Sequence, residues 1–451
     1  MSKNKKKHTS KSPMKNTPKK KIKQDNNKII YLDNNSTTLI CEPAIKTYKK
    51  WIECYNPATN SSVSQPAKNM IEKSKEYILN HCSTSSKKYK VIFTSGATES
   101  NCLILRSVAE SYKRLTNNKP HIITSSIEHS SVLDCCSSLL NNDQIELDII
   151  QPNIYGCILP EMIESVIKQN TCLISIMYAN NEIGSINNVY EIGKIAHQNK
   201  IPMHSDCVQI FGKFPIDLNK LKLDAVSISF HKFYGPKGIG ALIVNNDLIE
   251  GYKLEAQING HQQNGLRGGT ENVPAIASAI EALKWTFKKR KEKNNKLLKM
   301  RNFILDELNK KIPCKDYMSY MTENFPNAIQ NSNLTLYQDT NQKNNIEIVI
   351  LGPPKDKPSY FIPNTILLSI VKNKDDNFCN LLFKKTLDKN GIIVGVGSAC
   401  LSDLSKASYV LDAIQAPSII KKGIIRISLG DCNTIEELQK FIKIFFEILN
   451  I

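Results

Sequence analysis

The run Ser227-Ile228-Ser229-Phe230-His231-Lys232-Phe233-Tyr234-Gly235-Pro236-Lys237-Gly238-Ile239-Gly240 decides how the rest of the chain is read. Residues 225–230 alternate apolar and polar side chains, the period of a strand. That strand closes on His231-Lys232. A turn rich in Gly and Pro follows, and an apolar run resumes over 239–244. Lys232 therefore stands at a strand end, with a turn constraining the backbone on its far side. A lysine so placed suits Schiff-base chemistry, provided that partial desolvation leaves its amine neutral near neutral pH. Taken alone, the residue is better read as a surface lysine beside a turn, and other segments must decide.

Working outward, other apolar runs also end in chemistry-bearing residues. Ile201-Pro202-Met203-His204-Ser205-Asp206 reads as a strand closing on an acid, with Gln209 three residues on. Residues 174–179 read as a buried strand leading to Asn180-Asn181-Glu182-Ile183-Gly184, and a helix over 190–198 separates the two. His121-Ile122-Ile123-Thr124 is a strand leading to Glu128-His129. Val91-Ile92-Phe93-Thr94 leads to Ser95-Gly96-Ala97-Thr98, after which Leu105, Val108, Ala109 and Tyr112 share one helical face. A small, Gly-containing turn at a helix start exposes backbone N–H groups, a ready phosphate site to which Thr98 adds a hydroxyl. Alone, the same turn is simply a helix cap. Strand–helix–strand alternation implies a mostly parallel sheet with right-handed crossovers. Thr98, His129, Asn181, Asp206 and Lys232 all fall at or just after strand C-termini, the edge where open α/β sheets gather ligands. Further on, a Lys-rich helix over 275–308 reads as the link to a second domain.

The chain has 451 residues, a length for two domains, and ordinary apolar content. Its formal net charge is +18. Eleven lysines, against Asp25 alone, fall in residues 1–28. That Lys-, Asn-, Ser- and Pro-rich stretch has almost no apolar residues and is expected to be a disordered basic tail, solubilising or touching a polyanion. The remaining body is mildly basic, so no nucleic-acid partner is expected beyond weak contact by the tail. No apolar run has membrane-spanning length and no secretory signal pattern is present, so no membrane partner is expected. The expected setting is intracellular, cytoplasmic first, with mitochondrion and nucleus left open. Thirteen cysteines include no Cys-x-x-Cys pair, and no metal site is expected. Most lie in apolar runs and read as small core residues. Cys400 differs. Val394-Gly395-Val396-Gly397-Ser398-Ala399-Cys400 places two glycines before a small-residue run, and a polar stretch follows, so its thiol is expected on a loop able to swing.

Ser229 to Gly238 spells Ser-x-His-Lys-x-x-Gly-Pro-x-Gly, which resembles the cofactor-lysine motif of class V pyridoxal-phosphate (PLP) enzymes. The cysteine desulfurases and selenocysteine lyases are the most similar members. Asp33-Asn34-Asn35-Ser36-Thr37-Thr38 resembles that family's opening turn, with Ser36 where Ala is usual. Asn56-Pro57 resembles a further landmark loosely. Arg267-Gly268-Gly269-Thr270-Glu271-Asn272 resembles the loop that enters the partner subunit's site, Gly397-Ser398-Ala399-Cys400 the nucleophile loop, and Ile425-Arg426-Ile427-Ser428 the strand of the carboxylate-binding arginine. The resemblance runs from Ile29 to the C-terminus, apart from 317–357, which reads as an insertion.

The resemblance implies an α/β PLP-dependent aminotransferase type I-like fold in a homodimer. A large, mostly parallel-sheet domain would span 45–290, and a smaller α+β domain would combine 29–44 with 291–451. Gly96, Ala97, Thr98, His129, Asn181, Asp206, Gln209, Ser229, His231 and Lys232 would bind PLP, with Thr270 reaching the other subunit's phosphate. His129 would stack on the pyridine ring. Asp206 would keep the ring nitrogen protonated, which makes the ring an electron sink. Asn181 and Arg426 would bind substrate, Arg426 forking its carboxylate. Lys232 would act as base at Cα and Cys400 as nucleophile, its proton passed on through His129. The implied reaction takes L-cysteine to L-alanine and leaves a persulfide on Cys400 for a sulfur-acceptor protein. A selenocysteine lyase is the nearer alternative, a non-catalytic partner protein on the same fold the more distant one. Members that serve iron–sulfur scaffolds often continue beyond this chain's last residue, Ile451, so altered scaffold docking is expected.

Overall fold

The computed structural model describes residues 29–326, 346–372, 380–395 and 408–451. The basic tail and Cys400 lie outside the described residues. Strand β1 (Ile30–Leu32) leads to helices α1 (Glu42–Trp51) and α2 (Gln65–His81). A seven-stranded sheet follows, built from β2 (Tyr89–Thr94), β3 (His121–Ser125), β4 (Glu146–Ile150), β5 (Thr171–Ser175), β6 (Met203–Asp206), β7 (Ala225–Ser229) and β8 (Gly240–Asn245). Its spatial order is β2-β8-β7-β6-β5-β3-β4. The run from β4 to β7 is parallel, and β8 returns antiparallel between β7 and β2.

Period-2 alternation divides these strands between two apolar layers. Ile122, Leu173, Ala225 and Leu242 pack with Leu105 and Val108 of α3 (Ala97–Thr116) and with Val132 and Leu139 of α4 (Ser130–Asn141). Their chain neighbours Ile123, Ile174, Val226 and Ile243 pack on the opposite face, with Ile192 of α5 (Val189–Gln198) and Ile276 and Ile280 of α6 (Val273–Phe287). A parallel sheet with apolar residues on both faces needs helices on both faces.

Two elements differ from their sequence reading. The strand expected over 174–179 begins earlier, at Thr171, and stops at Ser175. Beyond it Asn180 folds the chain into a turn, its Oδ1 accepting from the N–H groups of Glu182 (2.8 Å) and Ile183 (2.9 Å). The helix expected over 275–308 is two helices, α6 and α7 (Arg290–Asn309), broken where Lys289 takes φ 60°. That conformation costs a side-chained residue about 1 kcal/mol. Lys293 offsets it at the break, donating to Trp285 O at 2.8 Å with its ammonium 3.6 Å from the Trp285 ring centre.

A second layer holds β9 (Cys314–Asp316), β10 (Glu347–Leu351), β11 (Thr365–Val371), β12 (Ile392–Val394) and β13 (Ile424–Ser428). Four of these form a sheet in the order β13-β11-β10-β9, and β12 pairs in parallel with β1. Leu297, Ile304 and Leu308 of α7 and Phe441 and Phe445 of α8 (Ile435–Leu449) cover Ile348, Ile366, Leu368 and Ile425. β10 lies inside the stretch read as an insertion. Its apolar run is paired on both sides and Ile348 and Val349 are fully buried, so it is sheet core. Tyr317 and Tyr320, from the same stretch, are also buried. Residues 327–345 lie outside the described residues. The two layers meet where β1 continues into the 33–38 turn. There Asp33 bridges to Ser428, and Asn35 N–H donates to Ser428 Oγ at 2.9 Å. No described helix is long and apolar enough to cross a membrane.

Candidate active site

Beyond β7 a single 3-10 turn, Phe230–Lys232, carries the chain out of the sheet. The reversal after it requires Gly235, because a β-carbon there would lie 2.8 Å from Phe230 O. Tyr234 takes φ 67°, a region that bulky residues seldom enter. It is held on two sides: its N–H donates to Thr38 Oγ1 at 2.6 Å, and its Oη accepts from Asp431 N–H at 2.8 Å. Lys232 Nζ then donates to two main-chain carbonyls, Asn35 O at 2.7 Å and Ser36 O at 2.9 Å. Burial first, then the charge of Arg426, brings its pKa down to about 8, against the pull of Asp206 and Asp33. About a tenth of such an amine is neutral at pH 7.

Next to it, β6 ends at Asp206, which is 4% exposed. Its Oδ1 accepts from Val208 N–H and its Oδ2 from Asn101 Nδ2, both at 2.9 Å. Asn101 Nδ2 also donates to Ser131 Oγ at 2.9 Å, and that oxygen lies 2.9 Å from His129 Nδ1. Ser131 N–H donates to the same nitrogen at 3.2 Å. His129 Nδ1 is therefore an acceptor, and the neutral ring carries its proton on Nε2. Asn101 and Ser131 were not among the residues expected from sequence. Asn101 heads the α3 face that continues through Leu105, Val108 and Tyr112, and a polar residue at the head of an apolar stripe was the available signal.

Where β2 passes into α3, Gly96, Ala97 and Thr98 turn first-helical-turn N–H groups, which have no acceptor within the helix, toward the same space. Gly240, opposite Thr94, permits this approach: a β-carbon there would lie 2.6 Å from Gly96 Cα. Ser229 is buried beside the turn. His231 Nδ1 meets Thr37 Oγ1 at 3.0 Å, and burial together with Lys232 and Lys237 lowers its pKa to about 4.

The facing wall comes from β13 and from the turn after β1. Arg426 Nη2 donates to Asp33 Oδ1 at 2.7 Å and Ser36 Oγ at 2.8 Å, and Nη1 donates to Asn181 O at 3.1 Å. Asn35 Nδ2 donates to Asn181 O at 3.0 Å and to Thr365 Oγ1 at 2.8 Å, while Gln209 Nε2 donates to Asn35 O at 3.1 Å. Among the described residues, three buried atoms here have no hydrogen-bond partner: Asn181 Oδ1, Gln209 Oε1 and Arg426 Nε. Asp33, Asn35 and Ser36 were also absent from the expected set. They stand in a polar turn whose spacing gives no hint of the strand, β13, that it meets.

Gly96, Ala97, Thr98, His129, Asn181, Asp206, Gln209, Ser229, His231, Lys232 and Arg426 all line one cleft of about 650 Å³. Thr270 does not line it and is exposed, on a loop tied down by the Arg267–Glu99 ion pair at 2.9 Å. The segment that contains Cys400 is flanked by two anchored residues. Gly395 N–H donates to Arg426 O at 2.9 Å, and Ser408 Oγ donates to Glu182 Oε2 at 2.6 Å. Chemically, the cleft offers a helix start for an anion, an amine for a carbonyl carbon, a carboxylate for a basic ring nitrogen and a guanidinium for a carboxylate.

The profile of the aminotransferase class-V family matches residues 30–339. The cysteine desulfurase IscS of Methanosarcina thermophila is 32% identical over 395 residues, covering 87% of this chain and 85% of that protein. Among solved structures, a NifS-like protein superposes with a TM-score of 0.76 at 29% identity, covering 94% of this chain and all of the other. A structure described as SspA in complex with cysteine superposes with a TM-score of 0.66 at 26% identity, over 90% of this chain and all of the other.

Proposed function

Because the chain belongs to the class-V aminotransferase family, we propose that it is an intracellular cysteine desulfurase dependent on pyridoxal 5'-phosphate. It takes sulfur from L-cysteine onto Cys400 as a persulfide, for delivery to an acceptor protein, and releases L-alanine. What supports this most is the convergence in one cleft of a partly neutral lysine, a buried carboxylate, a helix start and an arginine. Asn181 Oδ1 and Gln209 Oε1, buried without a donor among the described residues, fit a group that brings a ring hydroxyl.

The start of α3, with Thr98, Ser229 and His231, would hold the phosphate. Lys232 would hold the carbonyl carbon, Asp206 the ring nitrogen and His129 the ring face. Thr270 would serve the second copy of a homodimer. Bound there, the group supplies an electron sink for the charge left when Cα loses its proton. Lys232 takes that proton on Nζ. Asp206, steadied by Asn101 and by the Val208 N–H, keeps a proton on the ring nitrogen. Arg426 forks the substrate carboxylate, exchanging part of its pairing with Asp33. Cys400 thiolate attacks the substrate sulfur, so that the S–S bond forms as the Cβ–S bond breaks with its electron pair left on carbon; Cβ then takes a proton from solvent and Lys232 returns its proton to Cα, which completes L-alanine.

The test is Cys400→Ser, loaded with PLP and given L-cysteine. It should still bind substrate and should form neither alanine nor protein-bound persulfide. Alanine at the wild-type rate would remove Cys400 from the reaction. Loss on L-cysteine with turnover retained on L-selenocysteine would replace this reading with a selenocysteine lyase.

A further inference from the structure

Arg301, on α7, is 3% exposed. Among the described residues no carboxylate pairs with it, and its Nη1 has no hydrogen-bond partner. Burial brings its pKa down to about 10, and no neighbouring charge offsets that. A buried guanidinium without a counter-charge costs stability, so an apolar side chain would serve packing better at this place. Two contacts hold the group. Its Nε donates to Thr365 O at 3.2 Å, and its Cζ lies 4.2 Å from the centre of the Phe361 ring. A guanidinium does both at once, through its edge and its face, which neither a lysine nor a methionine can do. Arg301 thus grips the segment 361–365 at both ends.

The two turns beside Arg426 meet on that segment. Toward the turn that carries Asn181, Phe361 bridges to Ser185, and Ile362 N–H donates to Gly184 O at 2.8 Å. Gly184, at φ 79°, admits Thr365 closely: a β-carbon there would lie 2.9 Å from Thr365 Cβ. Toward the turn after β1, Asn364 Nδ2 donates to Asn35 Oδ1 at 3.0 Å, and Thr365 Oγ1 accepts from Asn35 Nδ2 at 2.8 Å. Asn35 Nδ2 and Arg426 Nη1 then share one acceptor, Asn181 O. We propose that Arg301 is a positioning residue for substrate binding: it fixes the 361–365 segment, which seats the Asn181 carbonyl against which Arg426 is aimed. The inference rests on the carboxylate-binding role given to Arg426 above. A shift of the segment moves that carbonyl and turns the guanidinium fork off the line of the substrate carboxylate. Weaker binding follows, without loss of the chemical step.

The full chain, loaded with PLP, is assayed for alanine from L-cysteine as wild type, Arg301→Met, Arg426→Lys and the double variant, and each protein is also melted. Arg301→Met should melt within a few degrees of wild type, because the buried charge it removes has no counter-charge to strand. Its KM should rise about three- to tenfold, the worth of one hydrogen bond, with kcat changing less. In the Arg426→Lys background the same substitution should raise KM by less than about twofold, because the fork it aims is already gone. An unchanged KM, or a rise as large in the Lys background as in wild type, would overturn the proposal. If the Met variant does not fold, Phe361→Leu decides, since it removes the ring that Arg301 faces. The same rise and the same coupling are expected there, and their absence overturns the proposal. Wild type that turns over cysteine while these effects are missing defeats this inference alone. Wild type that forms no alanine defeats the desulfurase reading and this inference with it.

Discussion

The two walls of the cleft hold their charges by different means. On the large-sheet side Asp206 is held by neutral donors, Asn101 and a backbone N–H, and the chain of contacts continues through Ser131 to His129. On the facing side Arg426 is held by an opposite charge, Asp33, and by carbonyl and hydroxyl oxygens. Neutral donors fix a carboxylate without cancelling its charge, so Asp206 stays available to a cation. A salt bridge stores a guanidinium in a form that another carboxylate can displace. The first wall is built to stay, the second to exchange.

Asp206→Asn attacks the fixed wall at its centre. Alanine formation from L-cysteine should fall about 10²-fold or more, with PLP still bound. Near-normal turnover would show that the ring nitrogen needs no carboxylate. Arg426→Lys tests the exchanging wall. A point charge replaces a planar fork, and KM for cysteine should rise about 10- to 30-fold while kcat changes less. A fall in kcat at constant KM would mean that Arg426 does not hold the substrate. Asn101→Leu removes one donor from Asp206 and the link to Ser131. Turnover should drop about tenfold, and the melting temperature should fall with a loss of about 1–3 kcal/mol. Turnover equal to wild type would reduce the network to packing.

Glu128 gives the smallest effect. It lies behind the fixed wall, fully buried, accepting from Ser125 Oγ at 2.6 Å and Met177 N–H at 2.8 Å. Burial pushes its pKa up to about 8 from 4.5. The unfolded chain gives up this proton near its ordinary pKa and the folded chain holds it to about 8, so stability falls as pH rises through that window. Glu128→Gln removes the dependence. Its melting temperature relative to wild type should therefore climb by a few degrees from acid to mildly alkaline pH. A flat difference would mean that Glu128 ionises normally.

The fixed wall was legible in the sequence because strands of period 2 end on its residues. Val226 and Ile228 point to one layer, and the residues after Ser229 and at Asp206 fall on a single sheet edge. The helix-start turn at Gly96 was legible for the same reason. The exchanging wall was much less so. Arg426 and Asp33 are separated by 393 positions, and no local period joins them. Only the likeness to a known family suggested that the two ends of the chain share a site. The break at Lys289 was hidden for another reason: no Gly or Pro marks it, and a contact with Trp285 stabilises it instead. β10 was hidden by its polar surroundings, which drew a short apolar run into the stretch read as an insertion.

Lys232 rests on the carbonyls of Asn35 and Ser36, which belong to the main chain. Replacing either side chain leaves both acceptors in place. A substitution scan of this turn would therefore score side-chain roles, such as the Asn35 contact to Thr365, and pass over the lysine's seat. The seat is lost only when the path of the backbone changes, by insertion, deletion or a proline. To mutation, a vital contact here is all but invisible, and sequence drift at these two positions is no measure of how closely their geometry is constrained.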